Sequence, residues 1–426
     1  MTAPYDPKKP LDGLTRRNFL LASGVIGGTA LVGGGLTLGI SELLARGDAS
    51  SSVASSTGAG TPILVLVTLY GGNDGLNTVV PFADPAYHAA RPDLAYSPDQ
   101  VLRLDDSLGF NPKMGTFAAQ WKANRLAIVR GVGYPKPDHS HFRSMDIWQT
   151  ASPDHPLNTG WLGRWLDATT GDPLLAVNVG ETLPPLAVGA TSAAVAVVTD
   201  QPKTMKALVG LNEAYGIVDP GDPPAMRAAA EAYAALTRCT ATVDVAARGT
   251  ASPDESDDTG TSTGGHSSSS IGTQLAIVAR CIRAGVPTRA YTVSQGGFDS
   301  HTHERGSQEA LLGDLDAAVA GFLKALSGTP REKDVVLMIY SEFGRRVAAN
   351  ASEGTDHGTA SSVLLLGSRV RPGMHGDQPS LSSLADGDLV ATTDFRSVYG
   401  EIAEKVLGVE ASRIIGSPQP SLGVLA

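Results

Sequence analysis

Short continuous apolar runs alternate with amphipathic stretches through most of this chain. Ile63–Leu69 is an unbroken apolar, β-branched run bounded by Pro62 and by Gly71-Gly72. That pattern reads as a strand buried on both faces. Leu126–Arg130 reads likewise, and Met114–Trp121 before it reads as a short helix. From Ile271 the order becomes regular: helix Ile271–Ala284, strand Arg289–Val293, helix Gln308–Leu326, strand Asp334–Tyr340, strand Ser362–Leu366 and helix Asp394–Leu407. Strands alternating with helices predict an α/β fold, a mostly parallel sheet with helices on both faces.

Two stretches break the rhythm. Residues 156–218 are irregular, rich in Pro and Gly, with short β-prone pieces such as Ala194–Val198, and read as a cap or insertion over the sheet. After an Ala-rich helical stretch, Met226–Arg238, residues 249–270 form a Ser/Thr/Gly/Asp tract that cannot bury a core. Such a tract predicts a disordered surface loop, with His266 a bystander in it.

The first 54 residues stand apart. Thr15-Arg16-Arg17-Asn18-Phe19-Leu20-Leu21 followed by a Gly-rich apolar stretch to Leu44 has the form of a twin-arginine export signal. Small-x-small sites at Gly47–Ala49 and Ser52–Ala54 are the expected cleavage points. Residues 55–426 are then a single α/β domain, exported through the twin-arginine translocase to the periplasm, cell envelope or exterior. Membrane attachment is expected only if the signal stays uncleaved, because the many glycines make a poor permanent span.

Composition narrows the partners. A formal charge of −10, with no basic run interleaved with aromatics, excludes nucleic acid. Two cysteines, Cys239 and Cys281, are too few for a disulfide scaffold; they read either as a pair formed after export or as two buried thiols.

The candidate chemistry lies where the apolar runs end. Asp299-Ser-His301-Thr-His303 follows one strand-like segment, and Asp356-His357-Gly358 follows another by way of a loop. Open α/β sheets bind ligands at such carboxyl ends. Imidazole combined with carboxylate suits Zn, Mn or Fe better than Mg or Ca. Asp299 and His303, four apart, could share one ion, with His301 as substitute. Asp356 and His357 could bind side by side on a tight turn. Asp74, in Gly71-Gly72-Asn73-Asp74-Gly75, is either a ligand or part of an ordinary turn. Glu342, off a strand tip, reads as a ligand, a base behind a ligand, or the partner of Arg345. In Asp138-His139-Ser140-His141-Phe142-Arg143, Ser140 is either a nucleophile at a helix start or a plain N-cap.

The export signal together with Leu69–Pro81, Gly296–His301, Ser341–Arg345 and Gly354–Gly358 resembles the exported bacterial family called domain of unknown function 1501. That family is similar to the alkaline-phosphatase superfamily of phosphatases, sulfatases and phosphoglycerate mutases. The resemblance implies an exported hydrolase of phosphate or sulfate esters, acting on a small-molecule or glycan ester. It implies two divalent ions, Zn or Mn: one on Asp299, His303 and His375, the other on Asp74, Asp356 and His357, roughly 3.5–4 Å apart. Ser140 or a metal-bound water would be the nucleophile, and Arg143 or Arg345 would clamp the non-bridging oxygens. The chain departs from that pattern in lacking both Cys-x-Pro-x-Arg and Asp-Ser-Ala. The departure leaves a second expectation: a non-catalytic sulfatase-like envelope protein that binds a glycan or a protein partner.

Overall fold

The computed structural model describes residues 36–39, 58–180, 182–198, 270–417 and 419–426. The run Ile63–Leu69 is strand β2, and its alternation serves two cores at once. Ile63, Val65, Val67 and Leu69 face one cluster, whereas Leu64 and Leu66 face another. A strand with both faces covered has no polar side to present, which is why its sequence is apolar throughout.

Around β2 the described sheet runs β1 (Leu36–Gly39), β8 (Val195–Val198), β7 (Ala176–Val179), β9 (Ala290–Gln295), β2, β10 (Val335–Ser341), β13 (Ser361–Leu366), β6 (Leu126–Gly133) and β14 (Gly373–His375), with β15 (Thr393–Asp394) also on β6. All pairings are parallel except the two made by β13. The reversal has a local cause. Between β10 and β13 the chain makes only a small hairpin, β11 (Arg345–Ala349) with β12 (Thr355–His357), and no crossover helix. A parallel neighbour would have needed one. A further three-stranded sheet joins β3 (Val79–Val80), β5 (Gly109–Phe110) and β4 (Leu102–Arg103).

Helices cover both faces. On one side lie α3 (Gly115–Lys122), α6 (Ile271–Arg283) and α7 (Glu304–Leu326), and Leu275, Val278 and Ile282 of α6 meet Leu315, Val319 and Phe322 of α7 in one core. On the other side α4 (His141–Thr150), α5 (Trp161–Ala168), α8 (Phe395–Glu401) with its π-helical extension Ile402–Leu407, and α9 (Ser412–Ile415) pack around Trp148, Trp161 and Tyr399. The short helices α1 (Gly75–Thr78) and α2 (Pro85–Ala90) follow β2 and β3, each opened by an Asp whose side chain accepts a backbone N–H.

Part of the stretch expected to cap the sheet belongs to the sheet itself. Within 156–218, β7 pairs with β9 and β8 pairs with β7 as strands of the main sheet. Their runs are only four residues long and separated by Pro-rich 3₁₀ turns, which disguises them as irregular chain. Residues 199–218, the expected helix at 226–238, Cys239 and the tract at 249–269 lie outside the described residues. So does most of the stretch expected to be an export signal, although Leu36–Gly39 within it forms β1, parallel to β8. Cys281 is buried in the core as a free thiol, and burial pushes its pKa up to about 12.

Candidate metal centre

The carboxyl ends of β2, β9 and β10 lie side by side, and the loops leaving them converge. Gly71 and Gly72, just past β2, allow that convergence. Both have positive φ; a Cβ on Gly71 would fall 2.5 Å from the Asp299 nitrogen, and one on Gly72 would fall 2.3 Å from the Phe343 ring. No other residue type fits both the dihedral and the space.

Three imidazoles and a carboxylate meet there. His357 Nε2 lies 3.1 Å from His141 Nε2, 3.0 Å from His301 Nε2 and 3.0 Å from Asp299 Oδ1. His301 Nε2 is 2.9 Å and His141 Nε2 3.5 Å from the same oxygen. Among the described residues His141, Asp299 and His357 form a group able to hold a metal ion, and His301 adjoins it.

The outer partners fix the tautomers. His141 Nδ1 is 2.8 Å from Glu342 Oε1, and His357 Nδ1 is 2.8 Å from the carbonyl oxygen of His139. A carboxylate and a carbonyl can only accept, so both Nδ1 atoms carry a hydrogen, and in the neutral rings both Nε2 atoms present lone pairs to the focus. Two imidazole nitrogens 3.1 Å apart need a shared proton or a metal ion between their lone pairs, and ligating histidines are oriented by this kind of Nδ1 contact. Hydrogen bonding to Glu342 also raises the pKa of His141 above its ordinary value. Glu342, 1% exposed, is itself held by the Gly71 N–H and the Ser341 hydroxyl.

Arg345 is fully committed beneath the cluster. Its guanidinium donates to the carbonyls of Gly71, Gly72, Phe298 and Thr355 and, at 2.7 Å, to Asp299 Oδ1. Partial burial pushes the Asp299 carboxyl up, but the bond from Arg345 outweighs it and the pKa falls to about 2. Beside the cluster lies a cleft of about 590 Å³, lined by Tyr134–Pro137, His139, Phe343 and residues 385–394. The Phe343 ring packs against His141 and His357, with centroids 4.9 and 5.1 Å away, and so joins cleft to cluster.

The sequence model of the family described as "Protein of unknown function (DUF1501)" matches residues 132–399, from the end of β6 through His141, Asp299 and His357 to α8. The chain belongs to this family. No curated protein matches it. Among solved structures, this DUF1501 chain is similar to an alkaline-phosphatase-superfamily protein from Vibrio parahaemolyticus, at 10% identity and a TM-score of 0.41, covering 89% of this chain and 79% of that one. It is similar to the lipoteichoic acid synthase LtaP from Listeria monocytogenes at 10% identity and a TM-score of 0.40, covering 89% and 81%. A TAB5 alkaline phosphatase mutant with Mg bound scores 0.32 at 7% identity, covering 74% and 94%.

Several expected site residues of the DUF1501 chain stand elsewhere. Asp74 is buried in an ion pair with Arg91 and caps α1; burial pushes its carboxyl up, but Arg91 brings it below the usual range. With a guanidinium on it, Asp74 faces no ion. His303 adopts a left-handed conformation at the start of α7, which turns its side chain, 83% exposed, out to Glu353. His301 takes the expected place because residues 300–303 form a turn and not a helix, so four-residue spacing does not apply. Asp356 lies behind His301, its Oδ1 3.6 Å from Nδ1, because neighbours on strand β12 point to opposite sides. His375 sits on β14 with its Nε2 2.8 Å from the Arg371 carbonyl, outside the cluster. Arg143 turns back along its own helix to Asp146 and the Pro153 carbonyl, so neither it nor Arg345 is free to clamp a ligand. Ser140 is the exposed N-cap of α4, without a side-chain capping bond, directly before His141. The sequence pattern pointed to this patch, but the hydroxyl drew attention from the imidazole next to it.

Proposed function

We propose that the chain is an exported, metal-dependent hydrolase of phosphate or sulfate esters. The observation that carries this reading is the convergence of the Nε2 atoms of His141 and His357, 3.1 Å apart, on the Asp299 carboxylate. His141, His301, His357 and Asp299 would hold a divalent ion, Zn or Mn, since imidazole nitrogens with a carboxylate suit these metals. Bound there, the ion supplies Lewis-acid polarisation of the ester and neutralises its developing charge. Glu342 and the His139 carbonyl hold the Nδ1 hydrogens and so turn both Nε2 atoms towards the focus, where a metal ion would take the place of a proton, and Arg345 keeps Asp299 ionised. The adjoining cleft receives the alcohol portion of a small-molecule or glycan ester, against Pro135, Pro137 and Val390. Ser140 at the start of α4, or a water, is the nucleophile. Export by the twin-arginine translocase would deliver the folded chain to the periplasm, envelope or exterior.

The test is metal content by mass spectrometry, followed by hydrolysis of p-nitrophenyl phosphate, bis-p-nitrophenyl phosphate and p-nitrophenyl sulfate. A His141→Ala/His357→Ala variant serves as control. Transition metal and turnover in the wild type, both lost in the variant, support the reading. A metal-free, inactive wild type overturns it and leaves a binding protein of the cell envelope.

A further inference from the structure

We infer that the centre takes a single metal ion and that the guanidinium of Arg345 stands as its second cation, with Asp299 bridging the two; this rests on the metal-centre reading above. Asp299 Oδ1 is shared. It lies 2.9–3.0 Å from His301 and His357 Nε2 on one side and 2.7 Å from Arg345 Nη2 on the other. On its own side the guanidinium is enclosed by five oxygens, the carbonyls of Gly71, Gly72, Phe298 and Thr355 and the carboxylate of Asp299. An all-oxygen shell is what a hard divalent cation would take, with water completing its coordination. Arg345 fills it with a permanent charge that cannot dissociate or be chelated, and being 2% exposed it cannot swing out.

The other carboxylate that might have served a second ion is closed in the same way. Asp74, 1% exposed, is paired with Arg91, itself fully buried and tied to the carbonyls of Arg346 and Val347. Two buried arginines thus neutralise Asp299 and Asp74. The remaining open focus is rich in imidazole nitrogen, so it selects Zn over Mg.

Titration of the full chain, stripped of metal, with Co²⁺ decides the matter. Visible absorption saturating at one equivalent, unaffected by millimolar Mg²⁺, is the expected result. Arg345→Gln should expose the oxygen shell and bind a second, weaker equivalent of Mn²⁺, read by electron paramagnetic resonance; if that variant does not fold, the wild-type stoichiometry stands as the test. Two equivalents in the wild type, or a spin-coupled Mn²⁺ pair, would overturn the inference while leaving a metal hydrolase intact. No binding at all would overturn both.

Discussion

The Nδ1 of His141 lies 2.8 Å from Oε1 of Glu342, a carboxylate that meets no other imidazole among the described residues. One residue sits at the start of a helix on one side of the site and the other at the tip of a central strand. Glu342 is thus a positioning residue: it sets which nitrogen of His141 faces the focus. Glu342→Gln should weaken metal affinity about 10- to 100-fold, the usual cost of losing such a partner, with the fold retained. Isothermal titration with Zn²⁺ measures it, and unchanged affinity would remove Glu342 from the centre.

His141 and Ser140 are neighbours with different expected roles. His141→Ala should cost more metal affinity than the change at Glu342, because it removes a nitrogen from the focus itself. Ser140→Ala should leave metal content as it was and act only on turnover, if the hydroxyl is the nucleophile. Equal metal loss in both variants would mean that the helix start, and not the imidazole, is what matters.

Arg91 and Asp74 are a buried pair, and removing one partner strands the other charge. Arg91→Met should destabilise the fold by about 3–5 kcal/mol, and Asp74→Asn in the same chain should recover part of that loss. Denaturant midpoints of the single and double variants test this. A loss that the second change does not relieve would show that Arg91 acts through its carbonyl contacts alone.

Glu304, at the start of α7, hydrogen-bonds the Thr355 hydroxyl, and burial first, then the charge of Asp74, raise its pKa from 4.5 to about 9. A carboxyl whose folded value lies above its unfolded value stabilises the fold fully below about 4.5. That contribution falls as pH rises towards 9, at no more than about 1.4 kcal/mol per pH unit. Asp74 runs the other way, losing stability only in acid. Glu304 therefore contributes to the alkaline limb together with His141, whose raised pKa acts in the same direction above the ordinary histidine range. Thermal midpoints between about pH 5 and 9 should fall less steeply in Glu304→Gln than in the wild type, and parallel curves would exclude this carboxyl as the cause.

Much of the fold was legible. The runs at 63–69 and 335–340 became β2 and β10 almost to the residue, since strands buried on both faces leave an unbroken apolar signature. The helix expected from Gln308 begins at Glu304 instead, because its first turn is polar and carries no periodicity. The helix expected over 394–407 is α-helical to Glu401 and then π-helical, a change of pitch that spacing does not announce. In the site, Asp299, His301 and His357 were visible as a dense Asp/His pattern. Arg91 was not. It is a lone Arg seventeen residues from Asp74 by sequence, and only tertiary packing brings the two charges together. That hidden pair decides how many ions the cleft can hold.

Arg345 ties together carbonyls at Gly71, Gly72, Phe298 and Thr355, points as far as 274 residues from it along the chain. Such contacts are slow to form, because the entropy of closing long loops must be met before they are rewarded. The imidazole focus therefore exists only once β2, β9 and β10 have zipped together. A bound ion would act as a tally of completed folding, and its retention would distinguish finished molecules from collapsed ones that still lack their central strands.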